Sequence, residues 1–403
     1  MARARPFRPA SSPLRGPYLV QNPFWGTWLR VNDTLLRMFS RQRERETSPT
    51  PNRVLVCVGG HLGDAIIATS ALSQLNRAAP TMGIGVLSGS WNREILESLP
   101  YVRWFHSVDH WKTARKTASL PTRWVDYRRS RARALRDIRE ISYDAAVDLY
   151  AYYPNFATTI AAARIPVRIG YGTGGFGPMY TREVHWNAGR PVTDDHRVLM
   201  ESLLPGAPWS SGGAYDLSAT SSAVADRVAA RLGSLGVERK RYAVLHVGGG
   251  ASLKEWPLEH WVAVARELLR LDIPVVLTGA GRSDAANARA IHDAVAGTIN
   301  LCDELPWPEF RCVVALAALV LSADTVAMHL AAAEGTPCVA VRTGIDTPNR
   351  WDPAAASVRV LTHPVSCAPC YRSRGCSEML CVRGVEPALM LESAEPFLPR
   401  APR

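Results

Sequence analysis

The chain has 403 residues, 47% hydrophobic and 21% charged, with a formal net charge of +11. That length exceeds one ordinary core and suits two domains of about 150–200 residues. The apolar content excludes a disordered polymer, and no uninterrupted apolar run is long enough to span a bilayer. The excess of positive charge asks for an acidic partner or surface. Nucleic acid would satisfy the charge, but no nucleic-acid module is visible and no nucleic-acid partner is expected.

In chain order, residues 1–16 are rich in Arg, Pro and Ser and read as disordered. Residues 24–45 place Trp25, Trp28, Leu29, Leu35, Leu36 and Phe39 at helical spacing, with Arg30, Arg37, Arg41, Arg43 and Arg45 between them. This predicts an amphipathic helix in a basic extension over 1–50. It could lie in a membrane interface, pack on the first domain or join two copies, with packing or self-contact preferred. No signal-peptide core is seen, so the expected location is cytoplasmic, with peripheral contact at the inner face of the membrane left open.

Residues 53–58 then read as a buried parallel strand. Gly59-Gly60-His61-Leu62-Gly63-Asp64 follows, leading into an apolar helical run over 65–75. This strand, glycine turn and helix is not the dinucleotide fingerprint, since Val58 stands where its first glycine belongs. Asp64 is either a helix N-cap or a general base, and a base must reach an acceptor hydroxyl. Further strands are predicted at 84–87, 145–149, 242–247, 274–278, 317–321 and 338–342, alternating with helical runs, which argues for an α/β protein with parallel sheets. Between 112 and 139 basic residues dominate, with Trp111, Trp124 and Tyr127 among them; this is either a solvated helical face or a surface for an anionic acceptor. Turn-forming Pro205-Gly206-Ala207-Pro208 and Ser210-Ser211-Gly212-Gly213 break the pattern. The expected domains are therefore 51–212 and 213–403.

In the second domain, the strand at 242–247 ends in Gly248-Gly249-Gly250, and Lys254-Glu255-Trp256-Pro257 follows. Glycines let the backbone approach a ligand, and Lys254 could reach phosphate oxygens or simply be solvated. The spacing is not that of a P-loop. Ser322-Ala323-Asp324-Thr325-Val326-Ala327-Met328-His329 puts an acid, a hydroxyl and an imidazole into an apolar helical run. Asp324 and Thr325 suit side-chain capping of that helix, whose N-terminus attracts phosphate, while His329 could equally be a satisfied core histidine. Of eight cysteines, Cys57, Cys302, Cys312 and Cys338 look like small core residues. Cys367, Cys370, Cys376 and Cys381 cluster within 367–381, a candidate structural site for zinc or iron or for two disulfides, with disulfides disfavoured in a cytosolic setting.

Gly63-Asp64, Lys254-x-Trp256-Pro257 and Ser322-Ala323-Asp324-Thr325 with His329 together resemble glycosyltransferase family 9, the ADP-heptose:lipopolysaccharide heptosyltransferases. Gly335-Thr336-Pro337 and Thr347-Pro348-x-x-Trp351-x-Pro353 add weaker matches. The resemblance implies a GT-B fold, two Rossmann-like domains facing across a cleft, the N-terminal one for acceptor and the C-terminal one for nucleotide sugar. It implies Asp64 as catalytic base and Lys254 as a contact to the donor phosphates. Asp324, Thr325 and His329 would line the donor pocket with the turn at Gly248, Gly249 and Gly250 and with Gly279. Gly60, His61 and Gly63 would form the acceptor-side loop.

The activity so implied is inverting transfer of a heptose or related sugar from an ADP-sugar to a hydroxyl of an anionic glycolipid or sugar acceptor. No cofactor is required for catalysis. Two departures, Val326 after the Asp-Thr pair and a 279–284 loop without glutamate, keep open another nucleotide sugar delivered to a small natural product or a protein. A non-catalytic nucleotide-sugar-binding or membrane-scaffold protein is a further alternative, and a sugar-nucleotide epimerase is a third, disfavoured by the missing dinucleotide fingerprint.

Overall fold

The computed structural model describes residues 13–14, 16–20, 22–39, 50–114, 118–249, 252–372 and 375–399. The chain divides into two compact units between Ser218 and Ala219. The division falls beyond the expected 212/213 because the intervening backbone is tied to the first unit. The Asp216 amide donates to Thr69 Oγ1 at 2.9 Å, and the Tyr101 hydroxyl donates to Asp216 Oδ2 at 3.1 Å.

The first unit begins with α1 (Pro23–Phe39). Then come β1 (Arg53–Val58), α2 (Leu62–Ala78), β2 (Gly83–Ser88), α3 (Arg93–Leu96) and β3 (Val102–Ser107). They are followed by α4 (Leu120–Ile141), β4 (Ala145–Asp148), α5 (Ala157–Ala162), β5 (Val167–Tyr171), β6 (Arg182–Val184) and α6 (Val192–Leu203). The strands form one sheet in the order β3-β2-β1-β4-β5-β6, parallel throughout. Val54, Leu55, Val56 and Cys57 of β1 are fully buried, as expected of a central strand covered on both faces. The helix expected over 24–45 is found as α1; Arg41, Arg43 and Arg45 lie outside the described residues. Its inner face packs on this unit. Leu29 is buried, and Asp33 accepts from the Tyr18 hydroxyl at 3.0 Å and the Phe176 amide at 2.8 Å.

The second unit contains α7 (Ser222–Ser234), β7 (Ala243–His246), α8 (Leu258–Arg270), β8 (Val275–Thr278), α9 (Arg282–Ala294) and β9 (Ile299–Asn300). It continues with α10 (Trp307–Leu316), β10 (Leu319–Ala323), α11 (Val326–Ala333), β11 (Cys338–Val341), β12 (Val358–Leu361), α12 (Leu380–Arg383) and α13 (Pro387–Ala394). Its parallel sheet runs β12-β11-β10-β7-β8-β9.

Counted from the first strand of each unit, both sheets have the Rossmann order 3-2-1-4-5-6. The expected α/β class with two Rossmann-like domains, the GT-B class, is thus what the chain adopts. In such sheets ligands bind outside the carboxyl ends of the strands where the order reverses. Those switch points lie between β1 and β4 and between β7 and β10. Among the described residues no helix is long and apolar enough to cross a membrane.

Candidate functional site

At the second switch point, β7 leads to Lys254 and β10 leads to Asp324. The Lys254 ammonium donates to the backbone carbonyl of Asp324 and to its Oδ2, both at 3.0 Å. The neighbouring tryptophan explains how the lysine is held. Trp256 is buried, and its indole N–H donates to the Val385 carbonyl at 2.8 Å while its ring packs edge-on against Trp261. Pro257 then caps α8 with an extended backbone. The tryptophan anchors the loop, so the lysine two residues earlier has a fixed stem.

Asp324 is buried. Burial alone would raise its pKa, but the charge of Lys254, with Arg342 adding, holds it below the usual carboxylate value. His329, also buried, is pushed down to about 4 by desolvation, so it is a neutral imidazole at neutral pH. Asp346 enters the same field: burial raises its pKa, and Lys254 and Asp324 are among the charges acting on it. Arg342 chelates Asp352 through Nη1 at 2.8 and 3.0 Å, yet its buried Nε has no hydrogen-bond partner. Thr325 Oγ1 is likewise buried and unpartnered. The side-chain cap expected of Asp324 and Thr325 is not formed. The run expected to be helical from 322 begins in β10, and Thr325 is the N-cap of α11 without a side-chain cap bond. Asp324 faces Lys254 instead, because that cation outbids the helix amides for a carboxylate in the same reach.

The glycine turn is shaped by Asp284. A Cβ on Gly248 would lie 2.0 Å from Asp284 Oδ2, and one on Gly279 would lie 2.8 Å from Asp284 Cβ. The carboxylate itself accepts from the Ala280 amide at 3.0 Å. Gly249 is buried beside them, and Gly250 lies outside the described residues.

At the first switch point, Gly60 adopts φ +77°, and its missing Cβ leaves room for Asp64, whose Oδ2 would be 2.2 Å from it. Gly63 and Asp64 lie in the first turn of α2, and His61 is its N-cap. The Asp64 carboxylate accepts the His61 backbone N–H at 2.8 Å, reaching back from the third helical position. Asp64 therefore has a capping duty. It also acts on Tyr150, whose pKa rises well above the ordinary phenol value, through burial first and then the charge of Asp64. A small hollow opens beside this turn, lined by Gly59 and Gly60 after β1, Trp91 after β2, His110 after β3, Asn155 after β4 and Tyr127 of α4. Burial lowers the pKa of His110 to about 4.

The model of glycosyltransferase family 9 (heptosyltransferase) matches residues 131–380. The chain belongs to glycosyltransferase family 9. Solved structures repeat its architecture. The ADP-heptose lps heptosyltransferase II of E. coli superposes with a TM-score of 0.66 at 20% identity, over 86% of this chain and 98% of that one. A family 9 glycosyltransferase from Veillonella parvula gives 0.71 at 18% identity, over 86% and 97%. The E. coli heptosyltransferase WaaC, solved with ADP, gives 0.64 at 20% identity, over 86% and 99%. No curated protein sequence matches the chain.

For a family 9 glycosyltransferase the sequence motifs gather the expected donor-side residues Lys254, Asp324, Thr325 and His329 around one switch point. Reading the sequence alone misses Arg342 and Asp346; the weak Thr347-Pro348 motif beside them was the only pointer. Tyr150 and Asp148 are missed as well. Asp148, fully buried, has its pKa raised to about 6 by desolvation, opposed by bonds from the Phe156 amide, the Tyr180 hydroxyl and the Tyr150 amide.

The cysteine cluster is only partly assembled. Burial first, and then the neighbouring Cys367 and Cys381, push the Cys370 thiol up, whereas Cys376 contacts Met379 at 4.0 Å. All four thiols are free, and among the described residues no group of three or more His, Cys, Asp or Glu is arranged to hold a metal ion. The donor chemistry of thiols suits zinc or iron, but this arrangement offers no closed tetrahedral set.

Proposed function

We propose that this family 9 glycosyltransferase moves a heptose or related sugar from an ADP-sugar to a hydroxyl of an anionic, lipopolysaccharide-core-like acceptor, with inversion at the anomeric carbon. The observation that carries the proposal is the Lys254–Asp324 pair at the β7/β10 switch point, beside the N-terminus of α11 and the unpartnered Thr325 hydroxyl. Lys254 holds the donor diphosphate, turning from Asp324, which positions it, toward phosphate oxygens when donor arrives. The amides of the turn at Gly248 and Gly249 and of α11 add partial positive charge. Neutral His329 hydrogen-bonds without adding charge.

Asp64 takes the acceptor proton as the hydroxyl oxygen forms a bond to the anomeric carbon. The bond to the diphosphate breaks on the opposite face, and the electron pair leaves with ADP. Charge on the leaving group is offset by Lys254 and the fixed N–H dipoles, so the reaction is proposed to need no divalent ion. WaaC was solved with ADP and with ADP-2-deoxy-2-fluoro heptose, which supports an adenine nucleotide here. A second reading, another nucleotide sugar, is favoured by Val326 at the first position of α11 and by Asp284 filling the glycine turn.

A panel of nucleotide sugars tested by thermal shift and by release of nucleoside diphosphate separates the two readings. ADP-heptose should raise the melting temperature and be consumed in the presence of chelator. Stabilisation by UDP- or GDP-sugars alone would reject the adenine donor.

A further inference from the structure

Helix α1 buries one face and leaves the opposite one bare. Phe24, Val31, Leu35 and Met38 are exposed, Phe24 by 70% and Met38 by 66%. Their spacing places them on one side of the helix, away from buried Leu29 and Asp33. Arg30 and Arg37 lie together on one side of the helix toward its buried face, and Arg37 pairs with Glu183 at 3.8 Å. Asp33, the helix's acidic residue, is turned inward to Tyr18 and Phe176.

A second bare apolar group stands at the start of α4, where Leu120, Trp124 and Val125 are exposed. Ring contacts join the two groups. Trp124 stacks on Trp111 with centroids 5.9 Å apart, Trp111 meets His110, His110 meets Tyr153, and Tyr153 stacks on Trp25 of α1 at 6.3 Å. The Lys112 ammonium lies 4.7 Å from the Tyr153 ring. Along α4, Arg128, Arg129, Arg133 and Arg136 are exposed.

We propose that the α1 ridge and the start of α4 dock this unit on an anionic phospholipid bilayer. The ridge supplies aliphatic and aromatic anchors for the acyl boundary, tryptophans suit the interface, and the exposed arginines of α4 meet lipid phosphates. Charge decides between occupants. A second copy would set the same arginines against one another, while an anionic leaflet neutralises them, in keeping with the net charge of +11. The helix lies flat rather than across, being too short and too polar to span.

The test is co-sedimentation of the full chain with vesicles of phosphatidylcholine alone and of phosphatidylcholine mixed with phosphatidylglycerol. No donor or acceptor is needed, so the result is independent of the transfer reading. The protein should bind the anionic vesicles, and added salt should weaken binding. Combining Phe24→Ser, Val31→Ser, Leu35→Ser and Met38→Ser should lower affinity roughly tenfold or more with an unchanged melting curve. Arg128→Glu with Arg129→Glu should do the same and flatten the salt dependence. Failure of the wild-type chain to bind anionic vesicles, or wild-type binding by the ridge variant, overturns the proposal. So does a wild-type dimer that becomes monomeric in the ridge variant without any vesicle binding, which assigns the face to self-association.

Discussion

Lys254→Ala tests the proposed donor site at its centre. The substitution removes a cation 3.0 Å from Asp324 Oδ2 and leaves that carboxylate buried. Two unit charges at this distance attract by roughly 5–6 kcal/mol at an effective dielectric of about 20. The Lys254 side chain is 35% exposed, so water screens the pair, and a cost of about 2–3 kcal/mol for the unliganded protein follows. Binding of ADP should weaken by a further 1–3 kcal/mol, about 5- to 150-fold, because a charged contact to phosphate is gone. Denaturant unfolding and titration calorimetry with ADP read the two effects separately. Adding Asp324→Asn removes the orphaned charge and should restore part of the stability but not the affinity. A Lys254→Ala protein that binds ADP like wild type would refute the phosphate role. A double variant less stable than the single one would refute the account of the pair.

Three further outcomes are expected. Asp64→Asn should abolish sugar transfer while ADP affinity stays near wild type, and loss of the charged contact to the His61 amide should lower stability by about 0.5–2 kcal/mol; near-normal turnover would remove Asp64 as the base. His246 and His329 have folded pKa values down to about 4, because burial disfavours the imidazolium, against about 6.5 when unfolded. Their stabilisation is full above pH 6.5 and is lost as pH falls toward 4, by up to about 3 kcal/mol each, so the melting temperature should drop across that window and less steeply in His329→Gln. Gly248→Ala would drive a methyl into Asp284 Oδ2 and should cost about 1–3 kcal/mol by urea unfolding; a neutral effect would show that Asp284 moves freely.

Much of this fold is legible in the sequence, and the misses have a common cause. Strands β1, β2, β4, β7, β8, β10 and β11 were expected from continuous apolar runs, since interior parallel strands are covered on both faces. Strands β3, β6, β9 and β12 were not, and they are the four sheet edges. An edge strand such as Val102-Arg103-Trp104-Phe105-His106-Ser107 is half-covered, so polar residues dilute its pattern. Interior β5 hides for another reason: Arg168 interrupts it and sends its guanidinium back to the Met179 carbonyl. On the donor side, Lys254, Asp324 and His329 could be picked out because each stands beside a glycine turn or at a helix start. Arg342 and Asp346 could not, because only folding brings the end of β11 alongside them.

The indole of Trp256 has a consequence for how far this chain can be trimmed. Its N–H reaches a carbonyl, at Val385, that comes more than a hundred residues later in the chain and just ahead of α13. Cutting the protein before that point would unmoor the lysine loop even though every motif around it remained. On the proposed donor reading, a shortened version would then lose nucleotide through a missing distant tether rather than a missing contact.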